Sequence, residues 1–179
     1  MTAMDRIKPF AEADDDVHVV IDTPRGSRNK LKWDKKLGVL KLSHVLTAGA
    51  VFPFDFGFVP GTHGADGDAL DVLVLSDEPL FPLCLVQARL IGVIDAEQTQ
   101  EGKTIRNDRM IAAAVGSRLY AKVSDLDALP PTLVDEIEQF FHQLQQNAQP
   151  SIQADREARR GRGDEVGEAQ HCKTRKEKR

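Results

Sequence analysis

The chain has 179 residues, is 41% hydrophobic and carries a formal net charge of −4, enough for one compact domain with a full core and a short appendage. No apolar run reaches the roughly 18 residues needed to span a bilayer, and the acidic start, with Asp5, Glu12 and Asp14 to Asp16, lacks a basic segment followed by an apolar one. A cytoplasmic protein with no membrane attachment is expected.

In chain order, Val17 to Asp22, Lys30 to Asp34, Gly38 to Leu42, Ala69 to Asp77, Leu83 to Asp95 and Arg109 to Val115 alternate or run apolar between Gly, Pro, Asp or Asn signals, and read as strands. Six short strands imply a small barrel. A helix is predicted from Thr132 to Gln146, where Leu133, Val134, Ile137, Phe140, Phe141 and Leu144 recur at helical spacing after Pro131. The expected fold is mainly β with flanking α: a small closed barrel plus one long helix in the C-terminal half, spanning residues 1–150.

Residues 151–179 hold nine Lys and Arg against six Asp and Glu, leaving −7 on the first 150 residues. That acidic body suits cations and makes nucleic acid an unlikely partner. Beyond Ile152 the only apolar residues are Val166, Cys172 and a few alanines, so 151–179 reads as a charged, loosely ordered tail. Cys84 and Cys172 lie far apart and read as a core thiol and an exposed thiol, with neither a disulfide framework nor a zinc site.

Chemistry concentrates at Asp66-Gly67-Asp68-Ala69-Leu70-Asp71, three carboxylates leading into the apolar run Val72-Leu73-Val74-Leu75. Strand alternation puts Asp71 on the face of Leu73 and Leu75. A carboxylate against a core is costly unless a cation or donors meet it, and oxygen-only ligands select magnesium, manganese or calcium over zinc. The competing reading is a hairpin turn at Asp-Gly. An EF-hand loop is excluded, because Leu70 stands where a third ligand belongs.

Val20-Ile21-Asp22-Thr23-Pro24, Arg28-Asn29-Lys30-Leu31-Lys32-Trp33-Asp34, Phe52-Pro53-Phe54-Asp55-Phe56-Gly57-Phe58-Val59-Pro60 and Asp66 to Val74 together resemble, in order and spacing, the family I soluble inorganic pyrophosphatases. The resemblance runs from about residue 17 to residue 145. It implies a five-stranded OB-like barrel, magnesium (or manganese) as cofactor, pyrophosphate as substrate and a homo-oligomer such as a hexamer. Pyrophosphate repels a water nucleophile until cations neutralise it. By position, Asp66 and Asp71 would be metal ligands, joined by Asp22 at a position that is usually Glu. Asp68 would be the base, and Lys30 and Arg109 catalytic and phosphate-binding residues.

Other positions depart from that pattern. Lys32 stands for a Glu, His44 for a phosphate-binding Arg, Phe52 and Phe56 for tyrosines, Gln98 and Asn107 for metal-binding aspartates, Arg109 for a lysine, and Leu144 and Gln145 for a tyrosine-lysine pair. His44 is a candidate phosphate contact or a strand-end histidine. Asp95, Glu97 or Asp108 are candidate substitutes for the missing acids. The pocket is less negative than the pattern, which predicts fewer bound metals and reduced hydrolysis of diphosphate. The alternative is a catalytically inactive fold serving as a binding or assembly module. Phe52, Phe54, Phe56 and Phe58 read as core rather than as a stacking platform for nucleic acid, and Lys30, Lys32, Lys35 and Lys36 around Trp33 as a mostly solvated hairpin.

Overall fold

The computed structural model describes residues 4–11, 16–64, 67–94, 97–100, 103–106 and 108–148. Its strands are β1 (Val17–Thr23), β2 (Asn29–Asp34), β3 (Val39–Val45), β4 (Asp55–Phe58), β5 (Asp71–Leu75), β6 (Leu85–Ile94), β7 (Glu97–Gln100), β8 (Lys103–Arg106) and β9 (Arg109–Ala114), followed by the helix α1 (Pro131–Ala148). Five of them close a barrel in the order β1-β4-β5-β9-β6, while β2 with β3 and β7 with β8 form separate two-stranded sheets. All barrel pairings are antiparallel except β5 with β9. The predicted fold class is the observed one.

Two predicted strands took a different place. The segments at Lys30 and Gly38 are not barrel staves but a hairpin standing beside β1. The stave in their stead is β4, four residues long and interrupted by Gly57, so its apolar alternation is too short to read. Gly57 is required there: a Cβ would sit 2.2 Å from the Val20 carbonyl oxygen on β1. The β7–β8 hairpin was likewise not foreseen. The helix was, and it begins on Pro131, where a missing N–H is harmless.

Strand alternation sorts the core into two clusters. Val72 and Val74 pack with Val17, Val19, Ile21, Val59, Ala88 and Ala112. Leu73 and Leu75 pack with Phe52, Phe54, Phe56 and Ile111, and with Ile137, Phe141 and Leu144 of α1. Each such aliphatic side chain contributes roughly 1.5–3 kcal/mol by leaving water. On the helix side the contact is largely aromatic, with the Phe140 ring 5.0 Å from Phe52 and the Phe141 ring 6.2 Å from Phe56, within the range of favourable ring pairs. The four phenylalanines at 52, 54, 56 and 58 are therefore core residues, as read from the sequence. Cys84 is half-buried at the edge of the first cluster, not fully within the core. No described helix is long and apolar enough to cross a membrane.

Candidate active site

The face of β5 that carries Leu73 and Leu75 ends in Asp71, half-buried at the barrel mouth. On the parallel neighbour β9 the register Val72↔Met110 places Arg109 beside Asp71, and the guanidinium Nη1 donates to Asp71 Oδ2 at 2.5 Å. Arg109 is itself buried, at 8% exposure, so this ion pair is partly withdrawn from water.

Asp22 arrives from β1, where a register shift between Ile21 and Thr23 leaves it without a partner residue on β4 while the pairing resumes at Thr23. The Thr23 hydroxyl accepts from Leu31 N at 3.0 Å and donates to Leu31 O at 3.4 Å, which ties β2 to β1 and sets Lys30 opposite Asp22. Lys30 Nζ lies 3.6 Å from Asp22 Oδ1 and 3.5 Å from the centre of the Phe56 ring, a cation–π contact in a dry setting. The aromatic wall that docks α1 thus also floors the lysine.

Burial dominates the electrostatics here. Asp22 is 3% exposed; its Oδ1 has no hydrogen-bond partner among the described residues. Loss of hydration pushes its carboxyl up to about 6, against the opposing pull of Lys30 and the Thr23 hydrogen bond, with nearby Asp71 adding to the rise. Burial also pulls Lys30 below the usual lysine range, opposed by Asp22 and Asp71. His44 pairs with Lys30 across the β2–β3 hairpin; burial, then the Lys30 charge, pulls its imidazole down, which keeps the ring neutral, and its Nε2 is buried without a described partner.

Asp68 lies in the loop that joins β4 to β5. Gly64 N donates to Asp68 O at 2.7 Å and Gly67 N to Gly64 O at 3.0 Å, with Gly67 in the left-handed region at φ 83, so the chain turns back at Gly67 inside the longer connection between β4 and β5. The Thr62 hydroxyl braces the loop, accepting from Leu70 N at 3.0 Å and donating to Val59 O at 2.7 Å. The Asp68 carboxylate takes Lys32 Nζ at 2.6 Å.

Of the residues singled out from the sequence, Asp22, Lys30, His44, Asp71 and Arg109 therefore gather at one mouth, and Asp68 joins them through Lys32 on β2. Asp66, Asp95 and Asn107 and the segment 151–179 lie outside the described residues, as do the side chains of Glu97, Gln98 and Gln145. Two residues escaped sequence reasoning. Lys32 was read as a lost acid and as part of a mostly solvated hairpin, although its two-residue step from Lys30 placed it on the same strand face. Asp55 is fully buried and accepts from Arg25 N at 2.9 Å, Leu80 N at 3.1 Å and the Ser76 hydroxyl at 2.6 Å; it pins two loops, and only its place in an apolar run hinted at that.

Among the described residues no three His, Cys, Asp or Glu side chains converge on one point. The donors still fit magnesium, which is commonly held by one or two carboxylates plus substrate oxygens and keeps much of its water. Asp22 Oδ1, which faces Lys30 Nζ at 3.6 Å without a hydrogen bond and is close enough to Asp71 to feel its charge, is a hard oxygen donor with coordination to spare.

The sequence from 19 to 171 matches the family model described as Inorganic pyrophosphatase. A soluble inorganic pyrophosphatase 2 of Chlamydomonas reinhardtii is 36% identical over 149 residues, covering 83% of this chain and 76% of that protein. A soluble inorganic pyrophosphatase 5 of Arabidopsis thaliana is 35% identical over 75% of this chain, which spans only 61% of its length. In structure, the inorganic pyrophosphatase of Thermus thermophilus superposes with a TM-score of 0.70 at 33% identity, covering 78% of each chain.

Proposed function

Because the chain belongs to the inorganic pyrophosphatase family, we propose that it hydrolyses inorganic diphosphate to two phosphates, with Mg2+ as the preferred ion, as a cytoplasmic homo-oligomer. The observation that carries this reading is the set of Lys30, Arg109 and Lys32 against Asp22, Asp71 and Asp68 at one barrel mouth. Cations matched to carboxylates offer a diphosphate positive charge without flooding the pocket with it.

In this reading Lys30, floored by Phe56, holds one phosphoryl group, and Arg109 keeps Asp71 oriented toward the mouth. His44 stays neutral and presents Nε2 as a hydrogen-bond partner. Water attacks one phosphorus, a P–O bond forms, the bridging P–O bond breaks, and Asp68 receives the proton that water loses. Magnesium, when bound by Asp22, Asp71 and Asp66, would neutralise the phosphates and make that water more acidic. With neither Gln98 nor Asn107 an acid, fewer ions are expected and turnover should be slow.

Phosphate release from pyrophosphate, followed across a magnesium titration, tests the reading. Slow, magnesium-dependent release is expected, with manganese substituting. No release at any magnesium concentration overturns it in favour of a non-catalytic module.

A further inference from the structure

The three cations at the mouth are held to very different degrees. Lys30 keeps 13% side-chain exposure between Asp22 and the Phe56 ring, and Arg109 keeps 10% against Asp71. Lys32 is 57% exposed and its partner Asp68 55%. Water screens an exposed pair strongly, and two long side chains must be ordered to keep it. The Lys32–Asp68 pair is therefore the one that an incoming polyanion rearranges most readily.

Position strengthens the case. Lys30 and Lys32 are two residues apart on one strand, so their side chains leave the same face with a spacing of roughly 7 Å. One ammonium addresses a carboxylate of β1, the other a carboxylate of the loop before β5. A diphosphate carries oxygens on both phosphoryl groups that accept charge-assisted hydrogen bonds at about 2.8 Å, one group for each of two neighbouring cations. Resemblance to the family puts an acid at position 32, a candidate metal donor. Here the residue reverses that charge and lies 2.6 Å from Asp68.

We propose that Lys32 is a diphosphate-binding residue whose ammonium bridges the Asp68 carboxylate and a phosphoryl oxygen, supplying at Asp68 the positive charge that a further divalent ion would otherwise bring. The proposal rests on the diphosphatase reading and names how part of that site is charged.

Calorimetry on the full chain tests it with two separate titrants, sodium pyrophosphate in EDTA and magnesium chloride without pyrophosphate. The wild type should bind pyrophosphate in EDTA. Lys32→Gln should weaken that binding by about 10- to 100-fold, the worth of one charge-assisted hydrogen bond, and Lys32→Arg should stay within about 3-fold because the charge is kept. Lys32→Glu should abolish metal-free binding and bind one more magnesium ion than the wild type. All three variants sit on an exposed side chain, and circular dichroism should show them folded. Unchanged affinity in Lys32→Gln, no pyrophosphate binding by the wild type in EDTA, or an unchanged magnesium count in Lys32→Glu overturns the proposal. Phosphate release is read separately: binding in EDTA through Lys32 with no release in magnesium would leave this role standing and sink the hydrolase reading.

Discussion

Asp22 should make the protein less stable as the pH rises from about 4 to 6. Its carboxyl is raised from 3.8 to about 6 by burial, so between those values the folded state holds a proton that the unfolded state has released. The folded form is then favoured at low pH, and this contribution is fully present below 3.8 and lost as pH passes 6. At 1.36 kcal/mol per unit, the full excursion amounts to about 3 kcal/mol. Other carboxylates work in the opposite sense: hydrogen bonds from Leu37 and from Ser117 pull Asp34 and Asp77 down, and they lose their contribution in acid. The wild-type curve alone therefore mixes signs, and the informative quantity is a difference. Asp22→Asn keeps the shape, cannot titrate, and leaves Asp34 and Asp77 untouched. Urea unfolding of both proteins in EDTA from pH 4 to pH 7.5 should show the stability of Asp22→Asn minus that of wild type rising by about 2.4 kcal/mol, the part of the excursion that falls in this window, whatever constant offset the loss of Lys30's partner adds. A flat difference would mean that Asp22 titrates as an ordinary surface carboxylate. A falling one would mean that the Asp22–Lys30 pair stabilises the fold outright, and the burial argument would be wrong.

Gly57→Ala forces a Cβ against the backbone of Val20 at 2.2 Å, which cannot rotate away; it should lose about 3 kcal/mol and about 10 °C in Tm, while Gly116→Ala, with nothing within 4 Å, serves as a near-neutral control in the same thermal melts. Asp55→Ala removes the acceptor for Arg25 N, Leu80 N and the Ser76 hydroxyl inside the fold and should cost about 3 kcal/mol or more in chemical unfolding; a loss below about 1 kcal/mol would show that water takes over those donors.

Much of the fold was legible because the information is local. Val72 and Val74 fell on one cluster and Leu73 and Leu75 on the other, as a period of two demands, and α1 buried Ile137, Phe141 and Leu144 from a spacing visible in fifteen consecutive letters. β4 was not legible because a stave of four residues carrying Gly57 owes its existence to its neighbours on both sides, not to its own pattern. The same division runs through the site. Asp68, Asp71, Lys30 and Asp22 were readable as chemistry-bearing residues from their order along the chain. What each of them faces was not. Arg109 meets Asp71 only because β9 runs parallel to β5 in one register, Lys32 meets Asp68 across 36 positions, and Asp22 is raised only because the closed barrel takes it out of water.

That difference changes how a substituted position should be weighed. Taken singly, Lys32 is an acid lost, His44 an arginine lost and Arg109 a lysine exchanged, and the tally points to decay of a catalytic site. Taken together in space, each of the three described carboxylates has a cation opposite it, and the one neutral base, His44, sits against Lys30 with its charge suppressed by burial. A site eroding without selection for binding has no reason to keep charges in matched pairs at a barrel mouth, because a buried charge left alone is expensive and the cheapest repair is an apolar residue. Retention of ionised groups on both sides, at a position where water can still enter beside Lys32 and Asp68, is what a pocket for a small polyanion requires.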